Sequence, residues 1–263
     1  MTGRPLAGRT ALVTGASRRI GIGAAIARRL GAAGADLVLQ SWSPHDAAQP
    51  WGADVDGPAA LARELRELGR RVQVVEADFA DPAAPAALVR TATEALGHLD
   101  ILVANHARST PWMPLEQITA AEIDMAYAVN TRATLLLVQA YAAQHDDARP
   151  GGRVVLFTSG QGNGPMADEL PYAASKGALA QITASLAAPL GKRGITVNTV
   201  NPGPTDTGWA SPEIQEEARR KMPFGRWGEP DDAARLVLWL VSDDGRWMHG
   251  QVLNSDGGFS LGS

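Results

Sequence analysis

Seven short runs of β-branched and apolar residues recur along the chain, with alanine-rich stretches between them. They are Thr10–Thr14, Asp36–Leu39, Val72–Val75, Ile101–Val103, Arg153–Thr158, Ile195–Val200 and Gln251–Leu253. A strand wetted on one face alternates apolar with polar residues, whereas one covered on both faces is apolar almost throughout, and most of these runs are of the second kind. Ala24–Ala33 and Ala59–Leu68 read as helices that stop at Gly34 and Gly69, residues suited to the left-handed position after a helix. Thr119-Ala-Ala-Glu122 has capping-box spacing ahead of Ile123 and Met125, and Glu229-Pro230 puts proline at a first helical position before Ala233–Val241. Strand–helix alternation sustained from end to end predicts a doubly wound, mostly parallel α/β sheet of seven strands with helices on both faces. No repeat, linker or second composition regime interrupts the 263 residues, so a single domain over 1–263 is expected.

The first strand runs through Thr14-Gly-Ala-Ser-Arg-Arg-Ile-Gly-Ile-Gly23 straight into a helix. Glycines between a first strand and a first helix let backbone approach a pyrophosphate, while the helix N-terminus supplies N–H donors and positive dipole. Glycine spacing by itself also fits an ordinary tight turn.

Composition removes several function classes. The chain has no cysteine, which excludes disulfides, thiolate metal sites and cysteine nucleophiles. His45, His98, His106, His145 and His249 are scattered without metal-ligand spacing, so no metal is expected. Against 28 Asp+Glu stand 24 Lys+Arg, a net charge of −4 with no long basic run, which argues against nucleic acid or a membrane surface as the main partner. Met1 to Arg9 has no apolar signal-peptide region, and the most apolar stretch, Ala133–Ala143, is broken by Gln139 and far short of the ~20 residues of a membrane span. A soluble, cytoplasmic protein is the expectation.

Chemistry enters with Tyr172-Ala-Ala-Ser-Lys176 at the start of a predicted helix, and Ser159 at the end of a predicted strand. Residues i and i+4 share a helix face, so the Tyr172 hydroxyl and the Lys176 amine can be presented to one cleft. A phenol with a pKa near 10 is a poor acid–base partner at neutral pH, and a nearby ammonium lowers it. Here the chain resembles the short-chain dehydrogenase/reductase family over essentially its whole length, most closely the bacterial 3-oxoacyl-acyl-carrier-protein reductases. Thr14-Gly15 with Gly21 and Gly23 match that family's cofactor turn, Asp78 its adenine-side acid, and Asn130 its helical asparagine. Ser159, Tyr172 and Lys176 match the catalytic residues, Asn201-Pro-Gly-Pro-Thr-Asp-Thr207 the nicotinamide-side loop, and Asp256-Gly-Gly258 the C-terminal signature.

The resemblance implies a Rossmann-type sheet and a dinucleotide held by Gly15, Ser17, Arg18, Arg19, Gly21, Ile22, Gly23, Trp42, Asp78, Phe79, Asn105, Lys176, Pro202, Gly203, Thr205 and Thr207. It further implies that Tyr172 gives a proton to a developing alkoxide and Ser159 orients the same oxygen. Lys176 would hold the cofactor ribose and depress the Tyr172 pKa, and Asn130 would hold a water leading from Lys176 to solvent. A lid over substrate is implied at about 208–223. Relatives of this kind are often tetramers, so a homo-oligomer, tetramer or dimer, is expected through the faces of Met125–Gln144 and Ala173–Leu190.

Two departures stand out. The cofactor turn carries an insertion, Arg19-Ile20, and Ala104-Asn105-His106-Ala107 puts an imidazole where the family has a small residue. The end of the second strand, Gln40-Ser41-Trp42, has no acid to accept ribose hydroxyls, while Arg18 and Arg19 suit a 2′-phosphate, which favours NADP(H) over NAD(H). The long connection Ser41–Pro58 is expected to pack with Arg19-Ile20 into a deeper adenosine pocket. Trp112, Met166 and Trp209 outline an apolar substrate mouth, with His106, Gln161 and Arg108 as its polar candidates. The function expected is NADP(H)-dependent reduction of a 3-oxoacyl-type or similar ketone to a secondary alcohol. The alternatives are a ketoreductase of a specialised polyketide-type pathway, a C=N or C=C reductase, and a non-catalytic dinucleotide-binding protein.

Overall fold

The computed structural model describes residues 4–149 and 151–261, so Met1–Gly3 of the N-terminal stretch lie outside the described residues. In chain order the elements are β1 (Thr10–Val13), α1 (Ile22–Ala32), β2 (Asp36–Ser41), α2 (Ser43–Ala47), α3 (Gly57–Glu67), β3 (Val72–Glu76), α4 (Ala84–Leu96), β4 (Ile101–Ala104) and α5 (Ala120–Ala126). A π-helical turn (Tyr127–Arg132) leads to α6 (Ala133–Gln144), β5 (Gly152–Phe157), α7 (Leu170–Gly191), β6 (Ile195–Asn201), α8 (Pro212–Lys221), α9 (Pro230–Val241) and β7 (Val252–Asn254).

All seven expected strands form, and they pair in parallel in one sheet of order β3-β2-β1-β4-β5-β6-β7. Alternate residues feed opposite layers: Ala11 and Val13 pack with Ile26, Leu30 and Leu61, while Leu12 packs with Leu88, Leu102 and Leu137. Both layers are apolar, which is why the strands lack polar alternation. Gly34 and Gly69 take positive φ (108° and 79°) after α1 and α3, as their positions predict. Glu229 and Asp232 complete a capping box around Pro230. The Thr119 box is only half made: Thr119 accepts from the Glu122 N–H (3.2 Å), while the Glu122 carboxylate goes to Arg108 at 2.7 Å. The short α2 and the alanine-rich α4 are not anticipated from sequence.

The chain leaves β1 toward β2 and β3, then crosses back to lay β4 on the other side. Loops after β1 and β4 therefore diverge and open a crevice at the carboxyl ends of the strands, the place where open α/β sheets bind ligands. Thr14, Asn105, Ser159 and Pro202 all follow strand ends on this one edge. Among the described residues no helix is long and apolar enough to cross a membrane.

Candidate active site

The crevice holds a cleft of about 510 Å³ lined by Gly15, Ser17, Arg18, Gly21, Ile22, Trp42, Asp78, Phe79, Asn105, His106 and Thr207. Gly21 is the N-cap of α1, with no side chain capping the helix and no acid in its first turn, so its free N–H groups suit an anion. A Cβ on Gly23 would lie 2.3 Å from the Gly15 carbonyl oxygen, which explains glycine there and supports the placement of the two-residue insertion. Asn105 holds the turn from below, its amide donating to the Thr14 and Gly15 carbonyls at 3.1 and 3.2 Å.

The inserted segments do pack together. The Arg19 N–H donates to Asp54 at 2.7 Å, and the Arg18 guanidinium sits 5.8 Å from the centre of the Trp51 ring. Only Arg18 of the two arginines lines the cleft. Arg19 turns out beside Ile20, Arg28 and Gly208 on the far side of α1, which corrects its expected cofactor role. Gln40 is buried inside the sheet edge, accepting from Gly15 N–H (2.9 Å) and donating to the Ala77 carbonyl (2.8 Å). An acid not anticipated from sequence does reach the cleft: Asp46, brought in by α2 and hydrogen-bonded to Ser17 and Trp51. Burial raises its pKa, and the Ser17 hydroxyl, His45 and Arg18 act against that rise. Pro202, Gly203 and Thr205 do not line this cleft; Thr205 is buried and bonds back to the Pro202 and Gly203 carbonyls.

His106 is the second correction. It is a buried brace with no reach into the substrate mouth. Its Nε2 lies 3.0 Å from the Val129 carbonyl, which can only accept, so Nδ1 is the unprotonated nitrogen and accepts from the Thr14 hydroxyl at 2.8 Å. The ring packs 4.2 Å from Phe79. Burial first, and the Lys176 charge second, push its pKa down to about 3, so the imidazole is neutral.

The structure brings Ser159 and Tyr172 together, the Ser159 side chain close enough to act on the Tyr172 hydroxyl. Lys176, one turn along α7, instead donates from Nζ to the Phe157 carbonyl (2.9 Å) and the His106 carbonyl (3.3 Å). Its complete burial without a carboxylate lowers its pKa to about 7. The Tyr172 pKa accordingly moves up, not down as the spacing predicts. Burial is the largest cause, the Ser159 side chain opposes it, and the Glu169 carboxylate adds to it.

Asn130 lies in the π turn with its amide fully engaged. It accepts from the Arg108 N–H (2.7 Å) and donates to the Arg108 carbonyl (3.0 Å) and to Ser175 Oγ (2.9 Å). These bonds use both of its side-chain donors and position the loop after β4 against α7.

The mouth beyond Tyr172 is aromatic. Trp209 contacts Trp112 edge-on (5.8 Å between ring centres) and Trp227 at a tilt (5.7 Å). Trp227 and Glu169 are members that sequence does not single out. Met166 precedes the short turn before α7, and Gln161 donates to Thr158 Oγ1 at 3.0 Å while its Oε1 has no partner among the described residues.

These features agree with three comparisons. The family model described as enoyl-(acyl carrier protein) reductase matches residues 15–260. An uncharacterized oxidoreductase of Bacillus subtilis is 38% identical over 255 residues, covering 96% of this chain and 97% of its own. A hydroxynaphthalene reductase-like protein of Metarhizium brunneum is 34% identical, covering 98% and 97%. A short-chain dehydrogenase from Burkholderia cenocepacia, solved in complex with NADP, superposes with a TM-score of 0.86 at 40% identity, covering 97% of this chain and 99% of that one. With the parallel sheet, the glycine turn at its crevice and the Ser159–Tyr172 pair one helical turn from Lys176, the chain belongs to the short-chain dehydrogenase/reductase family of oxidoreductases.

Proposed function

We propose that the protein is an NADPH-dependent carbonyl reductase that converts a ketone to a secondary alcohol, with Tyr172 as the proton donor. The observation that carries this is the state of Tyr172: beside Ser159, and with a raised pKa that keeps the phenol protonated at neutral pH. An acid that keeps its proton until charge develops on the neighbouring oxygen is suited to the reductive direction. Ser159 orients that oxygen from the same side. Lys176, braced by two carbonyls, presents its ammonium from beneath the cleft as a donor for ribose hydroxyls. Bound NADPH supplies the hydride.

The uncapped α1 N-terminus and Arg18 at the cleft fit a dinucleotide with a further phosphate, and the Burkholderia relative was solved with NADP. The fit concerns Gly15, Ser17, Arg18, Gly21, Ile22, Trp42, Asp78, Phe79, Asn105 and Thr207, all of which line the cleft.

A 3-oxoacyl thioester is the substrate expected from sequence. A second reading, a cyclic or aromatic ketone, is favoured by the three tryptophans at the mouth, whose flat rings match a flat substrate. The test is a panel of acyl-thioester ketones, cyclic ketones, enones and imines, read by NADPH and NADH oxidation in parallel. Turnover of ketones with NADPH is expected. Reduction of C=C or C=N bonds alone, or no turnover at all, would overturn the proposal. Exposed Met125, Tyr127 and Leu135 along α5, the π turn and α6 favour a homo-oligomer, checked by sedimentation, and a cytoplasmic location is checked by cell fractionation.

A further inference from the structure

Three loops meet beside the N-terminal end of α7, the helix that carries Tyr172, and the chemistry they present is unusually one-sided. The loop after β4 is strapped to the segment before α7 by the Met113 N–H donating to the Asp168 carbonyl at 2.8 Å. In the same place the Glu169 carboxylate lies close enough to the Trp112 indole N–H to be stabilised by it. The third loop, after β6, brings Trp209 against Trp112. Two of the indole N–H groups are engaged within the protein, Trp209 donating to the Thr205 carbonyl (3.2 Å) and Trp227 to the Gln215 carbonyl (2.8 Å), and that of Trp112 faces Glu169. The tryptophans therefore offer a ligand their π faces and no hydrogen-bond donor, and Trp112 remains 45% exposed.

Glu169 is the charged group of this mouth. It occupies the N-cap position of α7, yet its side chain makes no capping hydrogen bond and turns to Trp112 instead. Among the described residues no lysine, arginine or histidine pairs with it; the nearby Arg108 is held by Glu122 at 2.7 Å. It is only half exposed, and burial together with the charge of Asp168 raises its pKa, opposed by the Trp112 N–H. Its charge is felt at the Tyr172 hydroxyl three residues on. A half-buried carboxylate without a counter-ion is a cost in the free protein, and it is relieved when a cation arrives. Indole faces attract the same ligand through their quadrupoles, more strongly once the cation is desolvated. An anionic substrate finds here no free cation and no indole donor, and meets Glu169 as a like charge.

We propose that the ketone reduced by this protein carries a cationic nitrogen, an ammonium or quaternary ammonium group, held between Glu169 and the indole faces of Trp112 and Trp209 while its carbonyl lies at Ser159 and Tyr172. This rests on the carbonyl-reductase reading above and narrows its substrate class. The nitrogen is a handle and not a reactant: the carbonyl carbon takes the hydride, its oxygen takes the Tyr172 proton, and the charge of the ammonium is the same before and after.

The experiment compares two ketones of one shape, the dimethyl-oxopiperidinium ion and its uncharged carbon isostere, dimethylcyclohexanone. Each is given to wild type and to Glu169→Gln, which keeps an acceptor for the Trp112 N–H and loses the charge. In wild type, kcat/KM for the cation is expected to exceed that for the isostere by about tenfold or more, and Glu169→Gln to bring the ratio close to one. A wild-type ratio of one or below, or a ratio that Glu169→Gln leaves in place, overturns the proposal while leaving the reductase standing. If neither ketone is turned over, the reductase reading fails, and binding decides the remaining point separately. Titration of the NADPH-loaded enzyme with the oxopiperidinium ion should quench tryptophan fluorescence saturably in wild type and much more weakly in Glu169→Gln; equal quenching in both overturns the cation site.

Discussion

The nucleotide end of the crevice and the substrate mouth are built from different materials. At the nucleotide end the work falls on backbone: the glycine turn, the uncapped first turn of α1, and Asn105 bracing two carbonyls. At the mouth it falls on side chains from three separate segments, Trp112 and Trp209 on loops and Glu169 at the N-cap of α7. Backbone donors recognise what every dinucleotide shares, whereas side chains on loops can change without disturbing the sheet, so the mouth is the end where the proposed substrate specificity is tested. His106 joins the two ends. Its ring links Thr14 in the glycine turn to Val129 in the π turn, and its carbonyl receives Lys176.

The largest expected effect separates chemistry from nucleotide binding. Tyr172→Phe should lower turnover by roughly 10²–10⁴-fold, the range of a lost general acid, while the NADPH dissociation constant by fluorescence titration stays put. Unchanged turnover would remove Tyr172 from the mechanism. Gly23→Ala should do the reverse. The added Cβ would lie 2.3 Å from the Gly15 oxygen and must distort the turn at about 1–3 kcal/mol, so NADPH affinity should fall by about tenfold or more. Wild-type affinity in that variant would mean that the turn does not hold the dinucleotide.

His106 tests the joint between the two ends through pH. Its folded pKa of about 3 lies below its ordinary value of 6.5, so between those values the unfolded chain holds a proton that the folded protein refuses. Stability is therefore full above pH 6.5 and falls as pH drops toward 3, by up to about 1.4 kcal/mol per pH unit from this group. In urea unfolding the stability advantage of wild type over His106→Asn should shrink steadily from pH 6.5 to 4; a constant gap would contradict a buried neutral imidazole. The smallest effect belongs to the mouth. Trp209→Ala should raise KM for a ketone substrate about fivefold, the scale of one lost aromatic contact, with NADPH affinity unaltered. A change in NADPH affinity instead would place Trp209 with the nucleotide end.

Much of the fold is legible in the linear pattern. Leu12 and Val13 are both apolar because they enter opposite layers of one covered sheet, and Gly34 and Gly69 end helices where positive φ is required. The Tyr172–Lys176 spacing and the glycines of the first turn carry the chemistry of the site in the same way. α2 is harder to see. It is a five-residue helix within a long connection, too short for periodicity, and with it goes the arrival of Asp46 in the cleft. Arg18 and Arg19 are adjacent and chemically alike, yet one faces the cleft and the other the far side of α1, a choice made by Trp51 and Asp54 from a distant part of the chain.

From the sequence alone follow the strand–helix alternation, the turn able to receive a pyrophosphate and the pairing of Tyr172 with Lys176 one helical turn on, because each is written in residues close along the chain and in backbone rules they obey locally. Tertiary structure decided which charges survive: that Lys176 is drawn to two carbonyls with its pKa near 7, that His106 is neutral, that Tyr172 holds its proton, and that Glu169 sits beside Trp112 with no counter-ion among the described residues. Desolvation and partner geometry set those states, and both are contributed by residues that meet only after the sheet has closed its crevice.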